Sequence, residues 1–169
     1  RVPAPAVTVV VLTRGERSTW DRALRSVAAQ DYDGEIQILL VCDHCDAPSC
    51  ELPTPVQSVR IDLPEDVTIA RVAKLRDMAI RLVSTPLLCF LDDDNWWDIN
   101  HLTMLFTSME KFGAPAAHSW RCVHGEGETT FDGSYFPWLE RGTPDERRQY
   151  QACVYNGIVT PGEAVVRDT

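Results

Sequence analysis

The sequence has no long hydrophobic run and no lysine- or arginine-rich block. None of its 169 residues belong to a stretch approaching the length of a membrane span. Its net charge of −9 argues against a nucleic-acid partner, because such a partner requires a basic surface. No signal peptide is visible, although the chain starts at Arg1 without Met. These absences predict a globular, cytoplasmic protein, and they leave peripheral membrane attachment and oligomeric state open.

Three common catalytic or nucleotide-binding motifs are also missing. The first apolar run is followed by TRGE at 13–16 instead of a glycine-rich dinucleotide fingerprint. The chain has no P-loop, so it is not an ordinary ATPase, and it has no Gly-x-Ser-x-Gly elbow. A nucleotide-diphosphate site built from a metal ion and carboxylates needs neither glycine loop, because the cation neutralises the phosphates.

The six cysteines do not form a recognisable zinc motif. Cys42, His44, Cys45 and Cys50 lie close together in the sequence, but a structural zinc site draws a second ligand pair from elsewhere, and none is apparent. This pattern favours free thiols in a reducing compartment. A disulfide between Cys45 and Cys50 remains an open alternative.

Strand and helix patterns alternate along the first two thirds of the chain. Continuous apolar, β-branched runs predict buried strands at 7–12, 36–42 and 87–91, with a shorter strand at 56–61. Helical periodicity predicts helices at 17–29, 68–83 and 98–112, with Val72, Ile99 and Phe112 among their inward residues. The alternation predicts a single α/β domain with a mostly parallel sheet flanked by helices. Residues 1–112 form its nucleotide-binding half, and 113–169 form a mixed, incomplete extension with extended segments at 116–124 and 129–136.

Three consecutive aspartates, at 92–94, end the apolar run at 87–91. Adjacent like charges are costly unless a cation neutralises them. In an extended chain, Asp92 and Asp94 would project to the same side, where two oxygen ligands suit Mg²⁺ or Mn²⁺. Ligands of open α/β sheets bind at this end of the strands. We therefore favour a metal site over a solvated acidic turn that caps the next helix.

Taken in order, these motifs resemble the amino-terminal part of a family 2 glycosyltransferase of the GT-A fold. The matching segments are VTVVVLTRGERSTWDRALRSVAAQDYDGEIQILLVCD at 7–43, LRDMA at 75–79 and LCFLDDDNWWDINHL at 88–102. Each motif is weak alone, whereas the ordered set is specific. The resemblance implies a metal-dependent, inverting transferase of the hexosyltransferase type that moves a sugar from a nucleotide-diphosphate donor to an acceptor hydroxyl. The acceptor itself is unknown.

The resemblance implies a role for each matching polar residue. Thr13 and Arg14 would line the base and ribose pocket, Asp43 would hydrogen-bond the base, and Arg76 would reach the base or the diphosphate. From the residues alone, Thr13 and Arg14 also fit a polar turn, Asp43 a loop network and Arg76 a structural ion pair.

At the diphosphate end, the resemblance places a Mn²⁺ or Mg²⁺ ion that bridges the donor phosphates. Asp94 would bind this ion, and Asp92 would bind it or face the ribose or a metal-bound water. Asp93 would contact the nucleotide-sugar. Trp96, Trp97, Trp120 and Trp138 would either stack on sugar or pack in the core.

The acceptor base is the missing part. An inverting enzyme needs a carboxylate that deprotonates the acceptor, and the family places it beyond the equivalent of Val165. The weak candidates are Asp145 and Glu146, which fit a capping box after Thr143 better than a catalytic pair. Asp132 and Glu163 are further candidates. Two alternative functions remain: a non-catalytic nucleotide-binding domain that lost its base, and a nucleotidyltransferase.

Overall fold

The computed structural model describes residues 3–64 and 70–119, and the backbone of short segments at 122–123, 129–130 and 157–159. Three helices lie in this part of the chain: α1 Thr19–Ala28, α2 Arg71–Ile80 and α3 His101–Phe112. None of these described helices is long and apolar enough to cross a bilayer. The strands are β1 Val7–Thr13, β2 Ile36–Asp43, β3 Val56–Ile61, β4 Leu87–Asp92, β5 Ala116–His118, β6 Cys122–Val123, β7 Thr129–Thr130 and β8 Gly157–Val159.

The main sheet has the strand order β3-β2-β1-β4-β8-β5. The first four strands are parallel, and β8 pairs antiparallel with both β4 and β5. Central β1 is buried along almost its whole length, as a parallel strand covered on both faces should be. A separate antiparallel pair joins β6 to β7. The prediction of a mostly parallel α/β sheet is therefore confirmed, and antiparallel pairing begins after α3.

Crossover handedness explains where the helices lie. The chain steps in one direction from β1 to β2 to β3, and both α1 and the loop after β2 pack on the same face of the sheet. It then steps back over two strands to reach β4, and α2 packs on the opposite face. Right-handed parallel crossovers require this change of face. The reversal makes the gap between β1 and β4 the topological switch point of the sheet.

Each face of the sheet has its own hydrophobic core. Alternate residues of β1 point to opposite faces, so Val9 and Val11 pack with α1 and α3, whereas Val10 packs with α2. The core on the α2 face is smaller, because that helix contributes only Leu75 and Ala79 as buried residues. These two cores hold the strand ends rigidly in register.

The predicted helices were too long at their ends. α1 begins at Thr19, α2 is assigned from Arg71 and α3 from His101, while residues 65–69 lie outside the described part. Val72, Ile99 and Phe112 are exposed, so their assignment to the core was wrong. All three lie within two residues of a helix end, where the helical period continues in the sequence but the side chain is not covered by the core.

The four cysteines whose side chains the structure describes are free thiols. Cys42, Cys45, Cys50 and Cys89 are all free, so the Cys45–Cys50 disulfide is not formed. Burial raises the pKa of the Cys42 thiol to about 11, which keeps it protonated at neutral pH. Within the described residues, no three His, Cys, Asp or Glu side chains are grouped in a way that could hold a metal ion.

His101, the first residue of α3, is a buried histidine that makes the stability of the fold depend on pH. Its ring stacks on Trp97, with centroids 4.4 Å apart, and among the described residues its Nε2 atom has no hydrogen-bond partner. Burial lowers the pKa of His101 to about 4, so the folded protein keeps this ring neutral. Trp97 is buried and belongs to the core.

We expect His101 to weaken the fold as pH falls. His101 takes up a proton near pH 6.5 in the unfolded chain but only near pH 4 in the folded chain. The stability that comes from keeping this ring neutral is therefore fully present above pH 6.5 and is lost as the pH falls from 6.5 to 4. Between pH 7.5 and 5, the wild type should lose ~1–2 kcal/mol more unfolding free energy than His101→Phe, which stacks but does not titrate. Urea denaturation at both pH values measures this difference. Equal losses in the two proteins would show that His101 does not cause it.

Candidate active site

The predicted polar residues converge at the carboxyl ends of three neighbouring strands. Thr13 ends β1, Asp43 ends β2 and Asp92 ends β4. β1 lies between the other two strands in the sheet, so the three residues share one edge. This edge includes the switch point between β1 and β4, where open α/β sheets bind their ligands.

The three aspartates at the end of β4 are directed to three different partners. β4 ends at Asp92, and the amide N–H of Asn95 donates to the Asp92 carbonyl at 3.0 Å, which closes a turn. Asp92 accepts a hydrogen bond from Arg76 at 2.8 Å, Asp93 from Thr13 at 2.6 Å, and Asp94 from Arg17 at 2.8 Å. The turn replaces the extended chain that we assumed, so the two-residue spacing alone does not place Asp92 and Asp94 side by side.

Asp43 forms the most buried ion pair of the site. Its side chain is 3% exposed and that of Arg71 is 15% exposed. Arg71 donates from Nε to Oδ2 at 2.6 Å and from Nη2 to Oδ1 at 2.5 Å, a bidentate arrangement. Hydrogen bonding by Arg71 lowers the pKa of Asp43 below its usual range, which keeps the carboxylate ionised.

Arg71 also connects this carboxylate to the chain that follows β3. Its Nη1 donates to the Pro64 carbonyl at 3.2 Å, and its Nη2 lies 3.5 Å from the Leu63 carbonyl. A single guanidinium thus joins the start of α2, the end of β2 and residues 63–64. This arrangement uses the planar fork of arginine, which a lysine could not reproduce.

Arg76 lies one and a half turns further along α2 and serves the other side of the site. Its guanidinium pairs with Asp92 and lies 5.2 Å from the centroid of the Phe90 ring. A cation over an aromatic face next to a carboxylate is held in a fixed orientation. Two arginines of one helix therefore reach the ends of β2 and β4.

The segment Arg14–Arg17, which we call the arginine loop, crosses the strand ends in front of Thr13. Gly15 has φ +70, and its amide donates to the Thr13 hydroxyl at 3.0 Å. A Cβ at Gly15 would lie 3.3 Å from Cys45, so the loop packs closely on the segment after β2. Arg14 lies 3.9 Å from Asp43 and Arg17 lies 2.8 Å from Asp94. The loop thus spans both ends of the site.

Comparison with known proteins identifies the chain. The family model described as glycosyl transferase family 2 matches residues 8–167, nearly the whole sequence. The chain belongs to glycosyl transferase family 2. No curated protein matches the sequence.

Solved structures agree with this family fold. The structure of S. aureus TarS 1–349 has a TM-score of 0.62 at 18% identity, over 92% of this chain and 47% of that one. TarS 1–349 in complex with UDP has a TM-score of 0.65 at 16% identity, over 92% and 46%. The complex with UDP-GlcNAc has a TM-score of 0.61 at 14% identity, over 92% and 45%. The present chain therefore spans less than half the length of these proteins, and at such identities the likeness establishes the fold.

Two arginines of this candidate site were missed by sequence reasoning. Arg71 precedes Arg76 by five residues, and the only hint was a second arginine near the start of the same helix. Arg17 was treated as the first residue of a helix, whereas it lies in the arginine loop. Both bind aspartates that the sequence did single out. The long-range pairing that gives them a role is not visible in local patterns.

The remaining predicted residues fall into two groups. Trp96 is half-buried and lies under the Arg22 guanidinium, whose Cζ atom is 3.6 Å from the ring centroid. This contact covers one face of the ring that could stack on a sugar. Asp132, Asp145, Glu146 and Glu163, together with Trp120 and Trp138, lie outside the described residues.

The acidic turn offers oxygen ligands of the kind that a divalent cation prefers, but only part of a coordination shell. Asp92 and Asp94 each offer hard carboxylate oxygens, and their side chains are about half exposed, at 44% and 45%. Since no third acidic, histidine or cysteine ligand is grouped with them within the described part of the chain, the protein would supply only part of a coordination shell. A donor diphosphate and water would supply the other oxygen ligands, as is usual for Mg²⁺ bound with phosphates.

Proposed function

We propose that this protein transfers a sugar from a nucleotide-diphosphate donor to an acceptor hydroxyl, with inversion and with the help of a divalent cation. The observation that carries the proposal is the grouping of Thr13, Asp43 and Asp92 at the switch point, with arginines 14, 17, 71 and 76 paired around the site. Membership of glycosyl transferase family 2 supports the same reaction.

The base of the donor would bind at the Asp43 end. A carboxylate only accepts hydrogen bonds, so it selects a base edge that offers N–H groups, as uracil and guanine do. Arg71 donates to each Asp43 oxygen, and the base would use the acceptor capacity that remains on this carboxylate, which is 3% exposed. TarS forms complexes with UDP and UDP-GlcNAc, which makes UDP the natural first ligand to test here.

The diphosphate would bind at the acidic turn. Asp94 and Asp92 would hold Mn²⁺ or Mg²⁺, and the ion would neutralise the charge that develops on the departing nucleoside diphosphate. Arg76 would keep Asp92 oriented and add positive charge on the same side of the site. Thr13 would fix the turn through its hydrogen bond to Asp93.

Activation of the acceptor would require a carboxylate outside the described residues. Asp43 and the three aspartates 92–94 each accept a hydrogen bond from an arginine or from Thr13, and the proposal assigns them to the donor, so we assign the acceptor base to none of them. Asp145 and Glu146 remain weak candidates, and a residue beyond Thr169 in a longer chain is equally compatible. We propose a hexosyl donor on the strength of the family resemblance.

Donor hydrolysis distinguishes the proposal from its two alternatives. With UDP-GlcNAc, Mn²⁺ and no acceptor, a transferase should release UDP slowly by using water. A non-catalytic binding domain would bind the donor without releasing UDP. A nucleotidyltransferase would instead release pyrophosphate from UTP and a sugar phosphate. The proposal fails if UDP release does not exceed that of Asp94→Asn, or if pyrophosphate is the product.

A further inference from the structure

The ion pair between Arg17 and Asp94 differs from the other pairs of the site. The Arg71–Asp43 pair is largely buried, and Arg76 is held on α2 beside Phe90. Arg17 belongs to the arginine loop, and the pair is open to solvent, with side-chain exposures of 65% and 45%. Exposed ion pairs contribute little to stability and exchange easily.

The partner of this exposed arginine is the carboxylate that the proposed function assigns to the metal ion. Arg17 Nη1 lies 2.8 Å from Asp94 Oδ2. A guanidinium at that distance and a divalent cation on the same carboxylate would repel each other. The two cations would therefore compete for Asp94.

The arginine loop would keep Arg17 near the site if its side chain left Asp94. The loop is fixed at one end by the bond from the Gly15 amide to Thr13, and it continues into α1 at Thr19. Thr13 in turn binds Asp93, the neighbour of Asp94. In the proposed function the anion that arrives with the ion would be the donor diphosphate, and arginine binds phosphate oxygens well because its planar fork matches them.

We propose that Arg17 occupies the place of the metal ion on Asp94 in the ligand-free protein and moves to the donor diphosphate when the ion binds. This inference rests on the proposed function. It assigns Arg17 two opposite effects, since it hinders the binding of the ion alone and favours the binding of ion and nucleotide together.

Arg17→Ala should therefore shift two affinities in opposite directions. Mn²⁺ alone, followed by the electron paramagnetic resonance of the free ion, should bind about two- to fivefold more tightly, the range expected for loss of an exposed pair. UDP in the presence of Mn²⁺, measured by calorimetry, should bind roughly tenfold more weakly, because a charge-assisted hydrogen bond to phosphate is lost. Arg17→Lys should fall between the wild type and the alanine variant.

Arg25→Ala is the matched control. Arg25 Nε also lies 2.8 Å from an aspartate, Asp21, in an exposed pair on α1 away from the strand ends. Its removal changes net charge by the same amount and should leave both affinities unchanged. If Arg25→Ala reproduces the two shifts, bulk charge explains them and the proposal is overturned.

The remaining outcomes separate this inference from the proposed function. If the wild type binds UDP with Mn²⁺ but Arg17→Ala does not show both opposite shifts, the role of Arg17 is overturned and the proposed function stands. If the wild type binds no UDP in the presence of Mn²⁺, the proposed function fails and this inference fails with it.

Discussion

Arg71→Met should lower the free energy of unfolding by about 3 kcal/mol, since it leaves a buried carboxylate without its main partner. Asp43 is 3% exposed, and Arg14, a second cation among the described residues, lies 3.9 Å away. For a chain of this size, the loss corresponds to a fall of about 6–12 °C in the unfolding midpoint. Urea denaturation at pH 7 measures it.

The control for this substitution lies on the same part of the chain. Arg81 pairs with Asp77 at 3.1 Å, but both side chains are largely exposed, so Arg81→Met should cost less than about 0.5 kcal/mol. If Arg71→Met is no more costly than Arg81→Met, the buried pair does not stabilise the fold. UDP affinity should also fall in Arg71→Met and remain normal in Arg81→Met.

The Arg71 effect should depend on pH in a defined direction. Arg71 lowers the pKa of Asp43 in the folded state, so the pair contributes fully above the unfolded pKa of about 3.9. The contribution is lost as pH falls through the lower, folded pKa. The stability difference between wild type and Arg71→Met should therefore be largest near neutrality and should shrink in acid.

Asp94→Asn should weaken UDP binding in the presence of Mn²⁺ roughly a hundredfold, because a neutral amide is a much poorer ligand for a hard cation than a carboxylate. The binding that remains should no longer depend on Mn²⁺. The fold should be unaffected, because the Asp94 side chain is half exposed and its pair with Arg17 lies on the surface. Calorimetry with and without Mn²⁺ measures both effects.

Asp21→Asn provides the comparison for this substitution. Asp21 also accepts a 2.8 Å hydrogen bond from an arginine, Arg25, and lies on α1. It should bind UDP with Mn²⁺ as the wild type does. If Asp94→Asn binds UDP at full strength without metal, the assignment of Asp94 as a metal ligand is wrong.

The central part of the fold was predictable from the sequence because its signals are local. The apolar runs at 7–12, 36–42 and 87–91 cannot face water, so they had to become buried strands, and the alternation with helices fixed parallel pairing. The ends of the helices were less predictable. The helical period continues through Val72 and Phe112, and only tertiary packing determines where the sheet stops covering a helix.

The sequence singled out the aspartates of the candidate site together with Arg14 and Arg76, but it did not reveal Arg71 and Arg17. Asp43 and Asp92–Asp94 follow apolar runs directly, so strand ends and carboxylates coincide in the sequence. Arg71 and Arg17 reach those carboxylates across 28 and 77 residues of chain. No periodicity reports such a pairing, because it depends on how the strands are ordered in the sheet. The turn after Asp92 was also not predicted from the sequence and was found only in the structure.

The thermal unfolding of the wild-type chain with UDP, in Mn²⁺ and in EDTA, tests the central claim most directly. A ligand at about 100 times its dissociation constant stabilises the folded state by about 2.7 kcal/mol. We therefore predict that UDP raises the unfolding midpoint by about 5–10 °C in Mn²⁺ and by little in EDTA. An equal rise in both, or no rise in either, would contradict a metal-assisted nucleotide-diphosphate site at the ends of β1, β2 and β4.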